Sequence, residues 1–69
     1  MRPGQDTITE IIADRWAGET CWLNGKEAKV TGRLNRFATV GTLDGSQRFE
    51  YSWHTVNRVM LYKGREFIT

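Results

Sequence analysis

An α+β fold is predicted for this chain: an N-terminal helix on a small antiparallel meander sheet of four strands, with a short C-terminal helix and a terminal strand. Three observations predict it. Ile8, Ile11, Ile12 and Trp16 recur at helical spacing near the start of the sequence. Asn24-Gly25 and Asp44-Gly45 are the strongest hairpin signals, because Asn or Asp followed by Gly supplies the positive φ angles of a type I′ turn. Around these turns, apolar and polar residues alternate with the period of a half-buried strand.

The elements follow in order. Residues 1–6 read as a flexible arm, and they lack the apolar core of a signal peptide. Thr7-Ile8-Thr9-Glu10 fits a capping box, in which a hydroxyl closes the first amides and a Glu three residues on reaches back. The helix it opens covers about 7–17, and Gly18 is placed to end it in the left-handed conformation. Thr20 to Leu23 reads as a first strand turning at Asn24-Gly25. In the next run Ala28, Val30 and Leu34 point one way and Lys29, Thr31 and Arg33 the other, with Gly32 marking a bulge or a close backbone approach. After a turn at Asn35-Arg36, Phe37 to Leu43 forms a third strand, and Asp44-Gly45 reverses the chain again. Phe49, Tyr51 and Trp53 alternate with Arg48, Glu50 and Ser52 in a fourth, one-sided aromatic strand. From Ser52 to Gly64 two readings stand. Ser52 caps a helix that buries Trp53, Val56, Val59 and Met60 and stops at Gly64, or a single 3-10 turn leads into a strand. The first gives the α+β fold above, with 65–69 as a short terminal strand or an extended tail; the second gives a small SH3-like or Sm-like β-barrel.

A chain of 69 residues forms one domain. At this size only about 60% of the unfolded surface is buried, so the core needs reinforcement. Cys21 is the only cysteine and His54 the only histidine, which excludes an intrachain disulfide and a closed Cys/His zinc site. Self-association remains, and three Trp, three Phe and two Tyr are more large aromatics than so small a core must hide. A homo-oligomer is expected, most simply a two-fold dimer. Cys21, beside Trp22, reads as a small buried hydrophobe. The longest apolar stretch, Val59-Met60-Leu61-Tyr62, is far below the roughly 20 residues of a membrane span, so a soluble, intracellular protein without a membrane partner is expected.

The net charge of +2 and pI near 9.0 tolerate an anionic partner without demanding one. Nothing in the spacing pairs His54 with an acid or with Cys21, and Gly41 to Gly45 lacks the Lys-Ser/Thr ending of a phosphate loop. A non-enzymatic protein without a cofactor or metal is therefore expected. The strongest polar cluster is Arg33-Leu34-Asn35-Arg36: two guanidiniums on one turn suit a phosphate or carboxylate, with Asn35 adding an amide. A solvated hairpin turn is the other reading. Trp22 is the aromatic expected at the surface or an interface. Tyr51, in the aromatic row, stacks a base or lines the core on which the helix packs; Trp16 and Trp53 are expected to meet in that core. Arg48 and His54 complete the candidate ligand set, with Arg48 also readable as an ion-pair partner of Glu50 and His54 as an exposed or capping residue.

Two likenesses add to these readings. Trp22-Leu23-Asn24-Gly25-Lys26-Glu27-Ala28-Lys29-Val30-Thr31-Gly32-Arg33, then Phe37-Ala38-Thr39-Val40, then Glu50-Tyr51-Ser52-Trp53 with Val56, Arg58, Val59 and Met60, resembles a set of short uncharacterised bacteriophage proteins. The resemblance implies a phage origin and a host-cytoplasm setting, and it carries no catalytic residues. The N-terminal helix, Asn24-Gly25, Gly32, Phe37, Leu43, Gln47, Tyr51 and His54 resemble, more distantly, the layout of the Sm/Hfq family of RNA-binding rings. Here Gly32 comes one residue late, no acid follows Phe37, and His54 stands apart from Tyr51. The leading expectation is a phage accessory protein whose oligomer binds an anionic nucleotide-type ligand, as a sponge for cyclic nucleotide immune signals. The alternatives are a phage protein that binds and inhibits a host protein through Trp22 and its apolar surroundings, and an Sm/Hfq-like binder of single-stranded RNA.

Overall fold

The computed structural model describes residues 7–33 and 36–69. The expected arm at 1–6, and Leu34 and Asn35, lie outside the described residues. The element order is α1 (Thr7–Trp16), β1 (Thr20–Leu23), β2 (Lys26–Thr31), β3 (Phe37–Thr42), β4 (Arg48–Ser52), α2 (Trp53–Tyr62) and β5 (Glu66–Phe67).

The hairpins set the register of the sheet. Asn24 and Gly25 take φ of 50° and 84°, which makes the two-residue turn type I′, and it pairs Leu23 with Lys26 and Trp22 with Glu27. The Asp44-Gly45 reversal is built differently from the expected type I′ turn. Only Gly45 has a positive φ (78°), and its N–H donates to Thr42 O at 3.0 Å. Asp44 instead uses its carboxylate to accept from Ser46 N at 2.9 Å, the local side-chain bond that Asp offers in turns. Lys26 reaches across to Asp44 and Ser46 at 3.4 and 3.2 Å, joining the two turns.

Among the described residues the sheet has five strands in the order β4-β3-β2-β1-β5, not four, because the terminal strand joins it. It is mixed: β5 runs parallel to β1, pairing Trp22 with Glu66 and Leu23 with Phe67. A parallel neighbour needs a crossover, and α2 supplies it. The sheet is curled into a half-barrel, and the Tyr51 and Phe67 rings, from its two edge strands, meet inside at 5.0 Å. Asn24 ties the same end together: its N–H donates to Phe67 O (2.8 Å), its amide to Gln47 Oε1 and Thr69 Oγ1 (2.7 and 3.0 Å), and Thr69 N returns to its Oδ1 (2.9 Å).

The second helix settles the two readings of 52–64. Ser52 caps it, its Oγ accepting from Thr55 N at 3.2 Å, and Gly64 (φ 63°) ends the run. Trp53, the expected end of the aromatic strand, is instead the first residue of α2 and is buried with Val56 and Met60. Packing overrides the modest helix propensity of Thr55, Val56 and Val59. The N-terminal helix packs chiefly on α2 rather than on the sheet. Its buried face is Thr9, Ile12, Ala13 and Trp16, whereas Ile8 and Ile11, expected inside, are exposed. Trp16 and Trp53 do belong to one core, with Leu23, Ala28, Val30, Ala38, Val40, Val56 and Phe67. Among the described residues no helix is long and apolar enough to cross a membrane.

Gly32 is where the backbone is tightest. Its φ is +93°, and an added Cβ would lie 3.0 Å from Phe37 O and 3.5 Å from Thr39 N, so this is the close approach expected there. Gly32→Ala is expected to destabilise the protein by about 1–3 kcal/mol, a fall in Tm of roughly 4–8 °C per kcal/mol, read by thermal denaturation; Gly18→Ala, with open space around it, removes only the left-handed allowance and costs less.

Candidate functional site

The candidate ligand residues do not gather at one place. Arg33 and Arg36 flank the β2–β3 turn and are both exposed. Arg33 forms an ion pair with Asp14 of α1, a contact between distant segments that no local pattern announces. Asn35 lies outside the described residues. At the opposite end of the sheet Trp22 stands on the face away from the helices. Along β2, Glu27 (opposite Trp22) and Thr31 are four residues apart, about 13 Å, so the two ends are separate sites.

Arg48 lies between them on β4. Its Cγ sits 3.6 Å from where a Cβ of Gly41 would be, so the missing side chain lets the Arg48 stem lie over β3. The expected ion pair with Glu50 is not formed: the two are two residues apart on one strand, about 6.6 Å, and the stem turns toward β3 instead. Tyr51 faces inward and is half-buried, with its hydroxyl buried and without a hydrogen-bond partner. Burial, and then the nearby Cys21, push its pKa up. Tyr51 is therefore a core residue in this fold and not a stacking surface. His54 is exposed in the first turn of α2, so it and the Tyr51 hydroxyl do not converge on one site.

The face of the sheet that the helices leave open carries the largest unassigned feature. Register places Glu66, Trp22 and Glu27 side by side on β5, β1 and β2, and Leu43 N donates to Glu27 O at 3.0 Å at the end of the next strand. Trp22 is 46% exposed and Leu43 58%, while Phe37 at the far end of the same face is 54% exposed. Of the three tryptophans Trp22 alone is exposed, although Tyr62 and Phe37 are more exposed still. An indole between two carboxylates attracts a cation, through the ring face and through charge. Lys29 and Thr20 occupy the neighbouring row, with Lys29 opposite Thr20 and Gly41.

Sequence reasoning named Trp22 but missed Glu27 and Glu66. Glu27 was within reach, since a two-residue turn at 24–25 forces 22 opposite 27. Glu66 was not, because its place depends on the length of α2 and on a parallel pairing that no local signal announces. The polar groups of the β3–β4 hairpin loop, by contrast, are taken up within the fold: Gln47 N donates to Thr42 Oγ1 at 3.0 Å, and the Thr42 and Ser46 hydroxyls are hydrogen-bonded to each other at 3.3 Å. Hydrogen bonds from the Ser46 side chain and backbone, then Thr42, hold the Asp44 carboxyl well below the usual carboxylate range. Among the described residues no cluster of His, Cys, Asp and Glu could hold a metal ion.

No protein-family model matches the chain, and no curated protein or solved structure does either.

Cys21 is buried on β1, and burial pushes its thiol up to about 11, with Arg65 drawing it partly back. A folded pKa above the unfolded value of 9.0 means the folded state holds its proton longer, so stability is full below about pH 9 and falls as pH rises toward 11. The native thiol is expected to resist a thiol reagent at pH 8 and to react fully on unfolding in denaturant; rapid labelling of the native protein would contradict the buried placement.

Proposed function

We propose that the protein is a non-enzymatic binding module that docks a partner protein through the open face of its sheet, with Trp22 at the centre of the contact. The observation that supports this reading is the row Glu66–Trp22–Glu27, an exposed indole flanked by two carboxylates on adjacent strands, with Leu43 and Phe37 extending the apolar surface. Exposed Trp is costly to leave in water and is enriched where interfaces concentrate their energy. The flanking acids select a partner segment that presents Arg or Lys, held over the indole for about 0.5–2 kcal/mol beyond the buried area. In this reading the chain is a phage protein and its partner is a host protein met in the host cytoplasm.

The test is a titration of the isotope-labelled protein with a short arginine-rich peptide and with its glutamate-substituted counterpart. Amide shifts are expected to cluster at Trp22, Glu27, Leu43 and Glu66 with the basic peptide only. Trp22→Ala should abolish them, and Glu27→Gln with Glu66→Gln should weaken binding by about tenfold or more. Equal responses to both peptides, or shifts elsewhere on the molecule, would remove the reading.

A second reading keeps the anionic, nucleotide-type ligand at Arg33 and Arg36. It is favoured by the exposure of both guanidiniums on a turn whose base is locked at Gly32. In this reading Asp14 competes with the ligand for Arg33. Calorimetry against a panel of cyclic di- and trinucleotides is expected to show micromolar binding that Arg36→Ala weakens. Asp14→Asn should tighten it roughly two- to fivefold, the usual worth of an exposed ion pair. Absence of binding, or identical affinities in all three proteins, would discard this ligand.

A further inference from the structure

We propose that two copies of this chain join through the free edges of β4, in an antiparallel two-fold pairing centred on Phe49, so that the two curled sheets become one continuous sheet. β4 is an outer strand of the sheet order, so among the described residues one side of its backbone has no strand partner. Such an edge is a template for another strand.

The hydrogen-bonding pattern fixes which residues offer that edge. Thr42 N donates to Gln47 O at 2.9 Å, so 42 and 47 form a bonded pair of the β3–β4 ladder. Bonded and non-bonded pairs alternate in an antiparallel ladder, which makes Val40 with Phe49 and Ala38 with Tyr51 bonded pairs as well. The N–H and C=O groups of Phe49 and Tyr51 therefore point to β3. Those of Arg48, Glu50 and Ser52 point outward. A second β4 must meet Arg48 and Glu50 with its own outward-facing residues, and only some registers allow this.

Charge then selects among them. Centring the two-fold axis on residue 48 would set Arg48 against its own copy, and centring it on 50 would set Glu50 against its copy. Both place like charges directly opposite. Centring it on Phe49 sets each Arg48 opposite the Glu50 of the other copy, on the open face, with about four backbone hydrogen bonds between them. Among the described residues neither Arg48 nor Glu50 has an ion-pair partner within its own chain. On the helix side the same register stacks Phe49 on its copy. Phe49 faces the core side of the sheet yet is 40% exposed, the position of an aromatic left uncovered at an edge. Backbone parity, charge and the uncovered ring all point to one register, and an isologous two-fold contact is the simplest closed assembly.

Trp22 lies on β1, three strands from β4, so this contact leaves the face around it open; the dimer stands or falls independently of the partner reading. Light scattering and sedimentation of the wild-type chain are expected to give twice the mass of the monomer at micromolar concentration. Glu50→Arg and Arg48→Glu should each lower the association constant by at least about tenfold, and the double variant Arg48→Glu/Glu50→Arg should recover the dimer, because the swap restores both cross-pairs. Phe49→Cys gives a second test that does not depend on charge. Non-bonded antiparallel partners lie about 4.5 Å apart at Cα, within disulfide reach, so mild oxidation should link two chains at this position while Cys21 stays reduced. A monomeric wild type, single charge reversals without effect, a double variant that stays monomeric, or no crosslink from Phe49→Cys would each overturn the proposal.

Discussion

The burial of one face of α2 is the interaction on which the rest of this structure depends. Trp53, Val56 and Met60 enter the hollow of a curled sheet too small to close on itself, and each contributes roughly 2 kcal/mol of apolar burial. The same helix carries the chain from β4 to β5 and so permits the parallel pair with β1. It also gives α1 a surface to pack on, with the Trp16 indole donating to Asn57 Oδ1 at 2.9 Å. Without α2 the sheet would lose its lid, its fifth strand and the seat of its first helix together.

How much of this was legible in the sequence follows from how local each cause is. The Asn24-Gly25 turn, the β1–β2 register, Gly32 and the Ser52 cap are written in a few adjacent residues, and all stand where the pattern places them. Periodicity located α1 but misjudged its buried side. Ile8 and Ile11 are as apolar as Ile12, and only the position of α2 decides which isoleucine faces inward. Trp53 illustrates the same limit from the other side. Its spacing from Tyr51 suits a strand, yet the Ser52 cap and the hollow beneath it make it helical. The terminal strand within 65–69 was legible, but its parallel pairing with β1 was not, because that depends on the distance that α2 spans, a property of the assembled molecule. Among the candidate site residues, the sequence placed Arg33, Arg36, Trp22 and His54 at the surface correctly, whereas the inward turn of Tyr51 and the neighbours Asp14, Glu27 and Glu66 come from pairings between distant segments.

Division of labour between the two sheet faces explains the charge pattern. The concave face is almost wholly apolar and carries the fold. The open face alternates acids, bases and a few large apolar groups, with Glu27 and Lys29 on β2 and Arg48 and Glu50 on β4. Glycine at 41 thins the middle of that face. Such a surface costs the fold little to vary, so its chemistry is free to follow a partner.

The three indoles sit at three depths. Trp53 is 1% exposed within the half-barrel, and Trp16 is 8% exposed, with the Arg15 and Arg65 guanidiniums 5.6 and 5.4 Å from its ring centre. Trp22 alone meets solvent. The emission of this protein is therefore a sum of a dry, a cation-bounded and a wet fluorophore, and a water-borne quencher reaches only the last. Native fluorescence, resolved by quenching, reports on the open face of the sheet without any added label.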